Sequence, residues 1–182
     1  MRRKFLLAQE SDAEELCDGV LPEGFSMIPL PGHFFDMVGF RTPDNAVFLA
    51  DCLSSEATLE KYKITFIYDV ASYLDTLEKV KEMRADVFIP SHADATKDIA
   101  PLAELNIKKV NEVAQRIIDL CAEPVYFEHI LKRLFDDLGL AMTFEQHALV
   151  GSTVRSYLSY LRQIGEVDAS FEDNMLLWRK VF

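Results

Sequence analysis

Paired histidines are missing from this sequence. Its four histidines, His33, His92, His129 and His147, form no H-x-H and no H-x-x-x-H, so no single strand or helical turn can present two imidazoles to one metal. Cysteine is scarce as well: Cys17, Cys52 and Cys121 are odd in number and widely spaced. They build neither a C-x-x-C clip nor a disulfide framework, and a reducing cytoplasm is the expected setting. A positive surplus is also lacking. With 30 acidic against 19 basic residues the net charge is −11, which works against phosphate backbones and anionic membranes as partners. No apolar run approaches the roughly 20 residues of a membrane span. The run Phe5–Ala8 after Met1-Arg2-Arg3-Lys4 is too short for a signal-peptide core. The expectation is a soluble protein that binds no membrane.

What is present is ordinary globular material, 49% hydrophobic over 182 residues, enough for one substantial core or two small ones. Residues 1–100 alternate strand and helix patterns. Phe5–Gln9 and Phe25–Leu30 read as strands, and Val38–Arg41 and Val47–Ala50 as a hairpin across Thr42-Pro43-Asp44-Asn45. Ser54-Ser55-Glu56 suits a helix start, Ser72–Met83 has helical periodicity, and Asp86–Pro90 reads as a short buried strand stopped by its proline.

After about Lys97 the pattern turns helical. Ile99–Ala122 predicts one long helix, Pro124 opens a second and Gly139 closes it. A short segment at Phe144–Leu149, a helix from Ser152 to Ile164 and two strands around Glu166–Ala169 and Leu176–Arg179 follow. Three helices and a β-wing outline a winged-helix-like module over residues 101–182. Acidic residues outnumber basic ones there, so packing or dimerisation is the stronger reading of its last helix than DNA recognition.

Three polar residues stand where apolar runs stop: His33 after Leu30-Pro31-Gly32, Asp51 after Phe48-Leu49-Ala50, and His92 after Ile89-Pro90-Ser91. Each alone reads as a loop histidine or a turn aspartate. Together they share one geometry, a ligand-type side chain at the C-terminal end of a strand, where α/β folds gather their sites. A carboxylate offers lone pairs on two oxygens and so can bridge two cations. His129 and His147 read as ordinary surface or core-edge residues. Cys52, with no histidine partner at a recognisable spacing, is a poor nucleophile. Asp69 and Asp94 read as cap and turn residues rather than as supports for a metal site.

The runs Pro31-Gly32-His33 with Val38-Gly39-Phe40, Phe48-Leu49-Ala50-Asp51, and Ile89-Pro90-Ser91-His92-Ala93 resemble, in order and spacing, the last three metal motifs of the metallo-β-lactamase superfamily. The resemblance covers roughly residues 1–100, a partial αββα domain, with 101–182 similar to the helical extension of many of its hydrolases. It implies that His33 serves a first metal, Asp51 bridges two, and His92 serves a second, with zinc or another divalent metal as cofactor. The superfamily's H-x-H-x-D-H segment, which carries the other ligands, does not occur in the sequence. Phe34-Phe35 replaces the small and polar residues often seen after the third-motif histidine.

The resemblance thus predicts half of an αββα sandwich and half of a metal site. In the complete protein, metal-bound hydroxide attacks an ester-, thioester- or amide-like bond of a small-molecule substrate. A catalytic zinc needs about three protein ligands, so the chain alone is expected to be metal-poor and inactive, its catalytic groups unknown. The uncovered sheet predicts a homodimer or a complementing N-terminal half. The alternatives are a non-catalytic interaction or dimerisation remnant and, less favoured, an acidic winged-helix regulator.

Overall fold

The computed structural model describes residue 12 and residues 14–181; the strand expected at Phe5–Gln9 lies outside them. After a 3-10 turn, Asp18–Val20, come β1 (Ser26–Pro29), β2 (Val38–Arg41) and β3 (Ala46–Ser54). The turn into β3 is made as its residues suggest: Asn45 takes a left-handed φ of 59° and Thr42 Oγ1 accepts from the Ala46 amide at 3.1 Å. Helix α1 (Glu56–Tyr62) starts on Ser55, whose Oγ accepts from the Thr58 amide at 3.3 Å. Helix α2 (Val70–Glu82) is capped by Asp69 in the same way. Then follow β4 (Val87–His92) and α3 (Ala100–Leu120).

These strands form one sheet in the order β1-β2-β3-β4, with two antiparallel pairs and then a parallel one. Two reversals in succession make β1 run in the same direction as β3, and β4 runs parallel to β3. The C-terminal ends of β1, β3 and β4 therefore lie at one end of the sheet.

Pro90 does not stop its strand, contrary to expectation; β4 continues to His92. The reason is position. β4 is an edge strand, where a missing N–H costs no ladder bond.

One face of the sheet is covered. Val47, Leu49 and Phe88 point into a core with Leu77 and Val80 of α2 and Ala103 and Val110 of α3. The register puts Met27 opposite Phe40, Phe40 opposite Phe48, and Phe48 opposite Ile89. Paired residues point to the same side, so an apolar row crosses all four strands on the other face. Pro29, Val38 and Val87 flank it. Phe48 is 43% exposed, and none of these seven side chains belongs to the core cluster of the described residues.

The chain continues with β5 (Val125–Tyr126), α4 (Phe127–Leu138), α5 (Phe144–Gln163), β6 (Val167–Glu172) and β7 (Met175–Lys180). The last two strands make a hairpin that β5 joins, in the order β5-β7-β6. Pro124 thus leads into a two-residue strand rather than directly into a helix. Gly139 ends α4 in the left-handed region as its position suggests. The separate segments expected at 144–149 and 152–164 are one helix, α5. Gly151 lies within it, and a Cβ there would meet Leu131 and Phe127 of α4 at 3.6 and 3.8 Å, ordinary van der Waals contact. The core is continuous from the sheet into α3, α4 and α5. No helix of the described residues is long and apolar enough to cross a membrane.

One buried polar side chain joins the sheet to α3. Asn106 accepts from the Ser54 amide at 3.0 Å and donates to the Ser54 carbonyl at 2.9 Å, closing the end of β3 on the side away from β4, beyond the reach of β2. Replacing it by alanine strands two buried backbone groups at about 1–3 kcal/mol each. Asn106→Ala should therefore lose roughly 2–4 kcal/mol in urea denaturation. A loss under about 0.5 kcal/mol, the size of an ordinary surface change, would show that the clamp is dispensable.

Candidate functional site

Each of the three strand-end residues is delivered by a different local device. Gly32 has φ +124°, and a Cβ there would come within 2.3 Å of the Tyr73 backbone, so only glycine lets the chain pass beneath the first turn of α2. Its carbonyl accepts from the Tyr68 and Asp69 amides, each at 3.0 Å, while Thr76 Oγ1 donates to the Pro31 carbonyl at 2.6 Å. His33 follows this fixed turn. Asp51 lies inside β3 rather than after it. Ala50 takes a positive φ of 47°, the pairing with β4 is irregular on both sides of it, and the strand resumes to Ser54. Such an irregularity re-aims a side chain at a strand end. His92 ends β4, and its carbonyl accepts from the Ser55 amide at 2.9 Å, tying it to the start of α1.

The three side chains converge. His33 Nε2 lies 3.9 Å from Asp51 Oδ2, and His92 Nε2 lies 3.6 Å from Asp51 Oδ1. One carboxylate thus stands between two imidazoles, one at each oxygen, at distances longer than a hydrogen bond. His33 is half-buried, with the Phe66 ring edge-on at 5.4 Å. Burial holds its imidazole below the ordinary 6.5, against the upward pull of the Asp51 charge and the Phe66 backbone; His92 adds a further downward push.

Two imidazoles and a carboxylate suit zinc, iron or manganese in kind. In number they fall short: among the described residues no group of three or more His, Cys, Asp and Glu is placed to hold a metal ion. His129 and His147 do not join the three. Both are exposed, His129 beside Tyr126 and His147 3.2 Å from Glu128. Cys52 is buried beside Asp51, and burial with that neighbouring charge pushes its thiol up to about 12, leaving no thiolate for attack. Asp69 is the cap of α2, and Asp94 is exposed in the loop after β4.

The three residues sit on the wall of a cleft of about 540 Å³. Ala57, Thr58, Lys61 and Tyr62 of α1 form one side, and Gln146, Leu149, Val150 and Thr153 of α5 the other. The segment Ile64–Phe66 closes it between them. Thr153 Oγ1 accepts from the Ile67 amide and Ser156 Oγ from the Val70 amide, each at 3.2 Å, which fastens α5 to this segment. Sequence reasoning missed the α5 wall. Its one signal was a pair of hydroxyls, Thr153 and Ser156, on a helix that otherwise reads as apolar packing.

A larger groove, about 810 Å³, lies between α4, α5 and β7 and shares no residue with the cleft. Arg155 stacks over Phe127 there at 3.6 Å.

No protein-family sequence model and no curated protein matches this chain. Solved structures do. A metallo-β-lactamase family protein from Thermus thermophilus matches with a TM-score of 0.69 and 14% identity, over 86% of this chain and 49% of its own. The chain shares the fold of about half of that protein. A β-lactamase domain protein from Burkholderia ambifaria agrees, with a TM-score of 0.70 and 14% identity over 96% of this chain and 52% of its own. The chain therefore spans about half the length of these two structures. At such identity the likeness establishes the fold alone, and His33, Asp51 and His92 take their meaning from their own geometry.

That geometry makes a pH prediction. The unfolded chain binds the His33 proton more readily than the folded one, so this residue withdraws stability as pH falls from 6.5 through its lower folded value. Titration followed by NMR should show His33 half-protonated below pH 6.5, and Asp51→Asn, which removes an upward pull, should move it lower still. An upward move in that variant would contradict the arrangement.

Proposed function

We propose that this chain is one half of a metal-dependent hydrolase of the metallo-β-lactamase superfamily and contributes His33, Asp51 and His92 to a two-metal site. One observation carries the reading: a carboxylate stands between two imidazoles at the C-terminal ends of three co-directional strands. His33 would help hold one metal, His92 the other, and Asp51 would serve both. The missing ligands come from a second body carrying an H-x-H-x-D-H segment. When bound, divalent metals such as zinc supply the nucleophilic hydroxide and polarise the carbonyl of an ester-, thioester- or amide-like bond.

This chain's own part is placement. Gly32, the Ala50 irregularity and the bond between Ser55 and His92 hold the three side chains at fixed mutual distances. The α1–α5 cleft beside them receives the small-molecule substrate and excludes water around it.

Alone, the chain supplies each metal with one histidine and a shared aspartate, fewer than the three protein ligands of a catalytic zinc, and it is inactive. The apolar row Met27–Phe40–Phe48–Ile89 supports a partner over the open sheet face, because such a contiguous patch marks an interaction surface. That partner is the complementing N-terminal half or, failing it, a second copy of this chain. The same face would equally serve a non-catalytic remnant kept for dimerisation.

Metal content decides between these. Zinc stoichiometry after dialysis should stay well below one per chain for the chain alone. It should approach two when an H-x-H-x-D-H half is restored, and ester or thioester hydrolysis should appear with it. In the restored protein Asp51→Ala should remove most of the metal. Tight, chelator-sensitive zinc on the lone chain would overturn the half-site reading, and no uptake by the restored protein would favour the remnant.

A further inference from the structure

The cleft beside the three residues has a direction. Its α1 wall begins at Ser55, whose amide is bonded to His92, and ends at Lys61 in the last turn of the helix. Six residues at about 1.5 Å each put Lys61 roughly 9 Å further along the helix axis. Ala57, Thr58, Lys61 and Tyr62 recur at helical spacing on the face that lines the cleft. Facing them, Leu149 and Val150 are the apolar members of the α5 wall, flanked by Gln146 and Thr153, and Ile64–Phe66 closes the space between.

Among the described residues Lys61 is the cleft's only lysine or arginine. Its ammonium rests over the Tyr62 ring at 4.8 Å and takes part in no ion pair with a described acidic residue, whereas Lys63 and Lys109 on either side of Glu60 are both engaged by it. An apolar passage of this length, with a free cation at one end and Asp51 between its two histidines at the other, fits one class of molecule.

We infer that the cleft binds an extended aliphatic acyl group whose far end carries a carboxylate, with that carboxylate paired to Lys61 and the acyl carbon directed at Asp51 and its two histidines. The inference rests on the hydrolase reading for the fate of the acyl carbon, but the cleft and its cation stand without it. Polarity within the passage fits the same ligand. Ser54, which pairs with His92, borders it beside the three residues, where a carbonyl would sit; Thr58, Thr65, Gln146 and Thr153 add hydrogen-bonding groups, while Leu149 and Val150 offer carbon to the chain. The substrate class that follows is an ester, thioester or amide of an aliphatic dicarboxylic acid.

The test uses octanoate and octanol on the isotopically labelled chain, with amide shifts followed by NMR. Octanoate should perturb residues 58–66 and 146–153 and bind about fivefold more tightly than octanol, the size of one partly exposed ion pair. Lys61→Met, a change at an exposed position, should bring the two ligands within about twofold of each other while leaving octanol unchanged. Leu149→Glu, also at an exposed position, should weaken both at least tenfold. Equal affinity for the two ligands in the unaltered chain would overturn the inference. So would shifts centred on Met27, Phe40 and Phe48, or no shifts at millimolar ligand. Octanoate binding here with no metal uptake by the restored protein would remove the hydrolase reading and leave the cleft assignment standing. Metal uptake without octanoate binding would do the reverse.

Discussion

Everything at the candidate site depends on β1, β3 and β4 running in one direction and stopping at one end of the sheet. Residues 33, 51 and 92 lie at or near those ends, far apart in sequence, and nothing local holds such distant points together. The structure uses three unrelated devices to do so. Gly32 brings backbone against backbone under α2, where a methyl group would stand 2.3 Å from Tyr73. Asn106 substitutes for a strand partner on the side of Ser54 away from β4. The Ser55 amide binds the His92 carbonyl. Each satisfies or admits a backbone group that would otherwise be unpaired or blocked, and together they set the distances between two imidazoles and a carboxylate.

The two faces of the same sheet differ sharply. Its helix-covered face is buried to completion, with Val47 and Leu49 at 0% exposure, whereas the opposite face presents methionine, phenylalanine and isoleucine in register. Hydrophobic burial is worth about 25 cal/mol per Å², so a face of this kind gains substantially from any complementary sheet. The solved structures that share the fold are about twice as long. Among the described residues that face lies outside the core cluster and the ligand count is short, and the chain spans about half of each solved structure.

Much of this was legible because the relevant signals are local. The Thr42–Asn45 turn, the Ser55 and Asp69 caps and the Gly139 stop each depend on a few adjacent residues and fall where their chemistry puts them. The three strand-end residues were legible for a related reason, since each terminates an apolar run. Misreadings came where tertiary context reversed a local rule. Pro90 is harmless on an edge strand. The segments expected at 144–149 and 152–164 are one continuous helix. Pro124 precedes a strand that exists only because β7 is there to pair with it. The α5 side of the cleft was invisible for a stronger reason: Thr153 and Ile67 are 86 positions apart, and nothing near either residue announces the other.

If His33, Asp51 and His92 form one side of a shared metal centre, a metal should be visible between them. A zinc-soaked crystal of the chain joined to an H-x-H-x-D-H half, measured at the zinc absorption edge, should show two anomalous peaks. They should flank Asp51, one within ligand distance, about 2.0–2.1 Å, of His33 Nε2 and the other of His92 Nε2. Two well-occupied peaks elsewhere, or none between these histidines in a folded complex, would contradict the account.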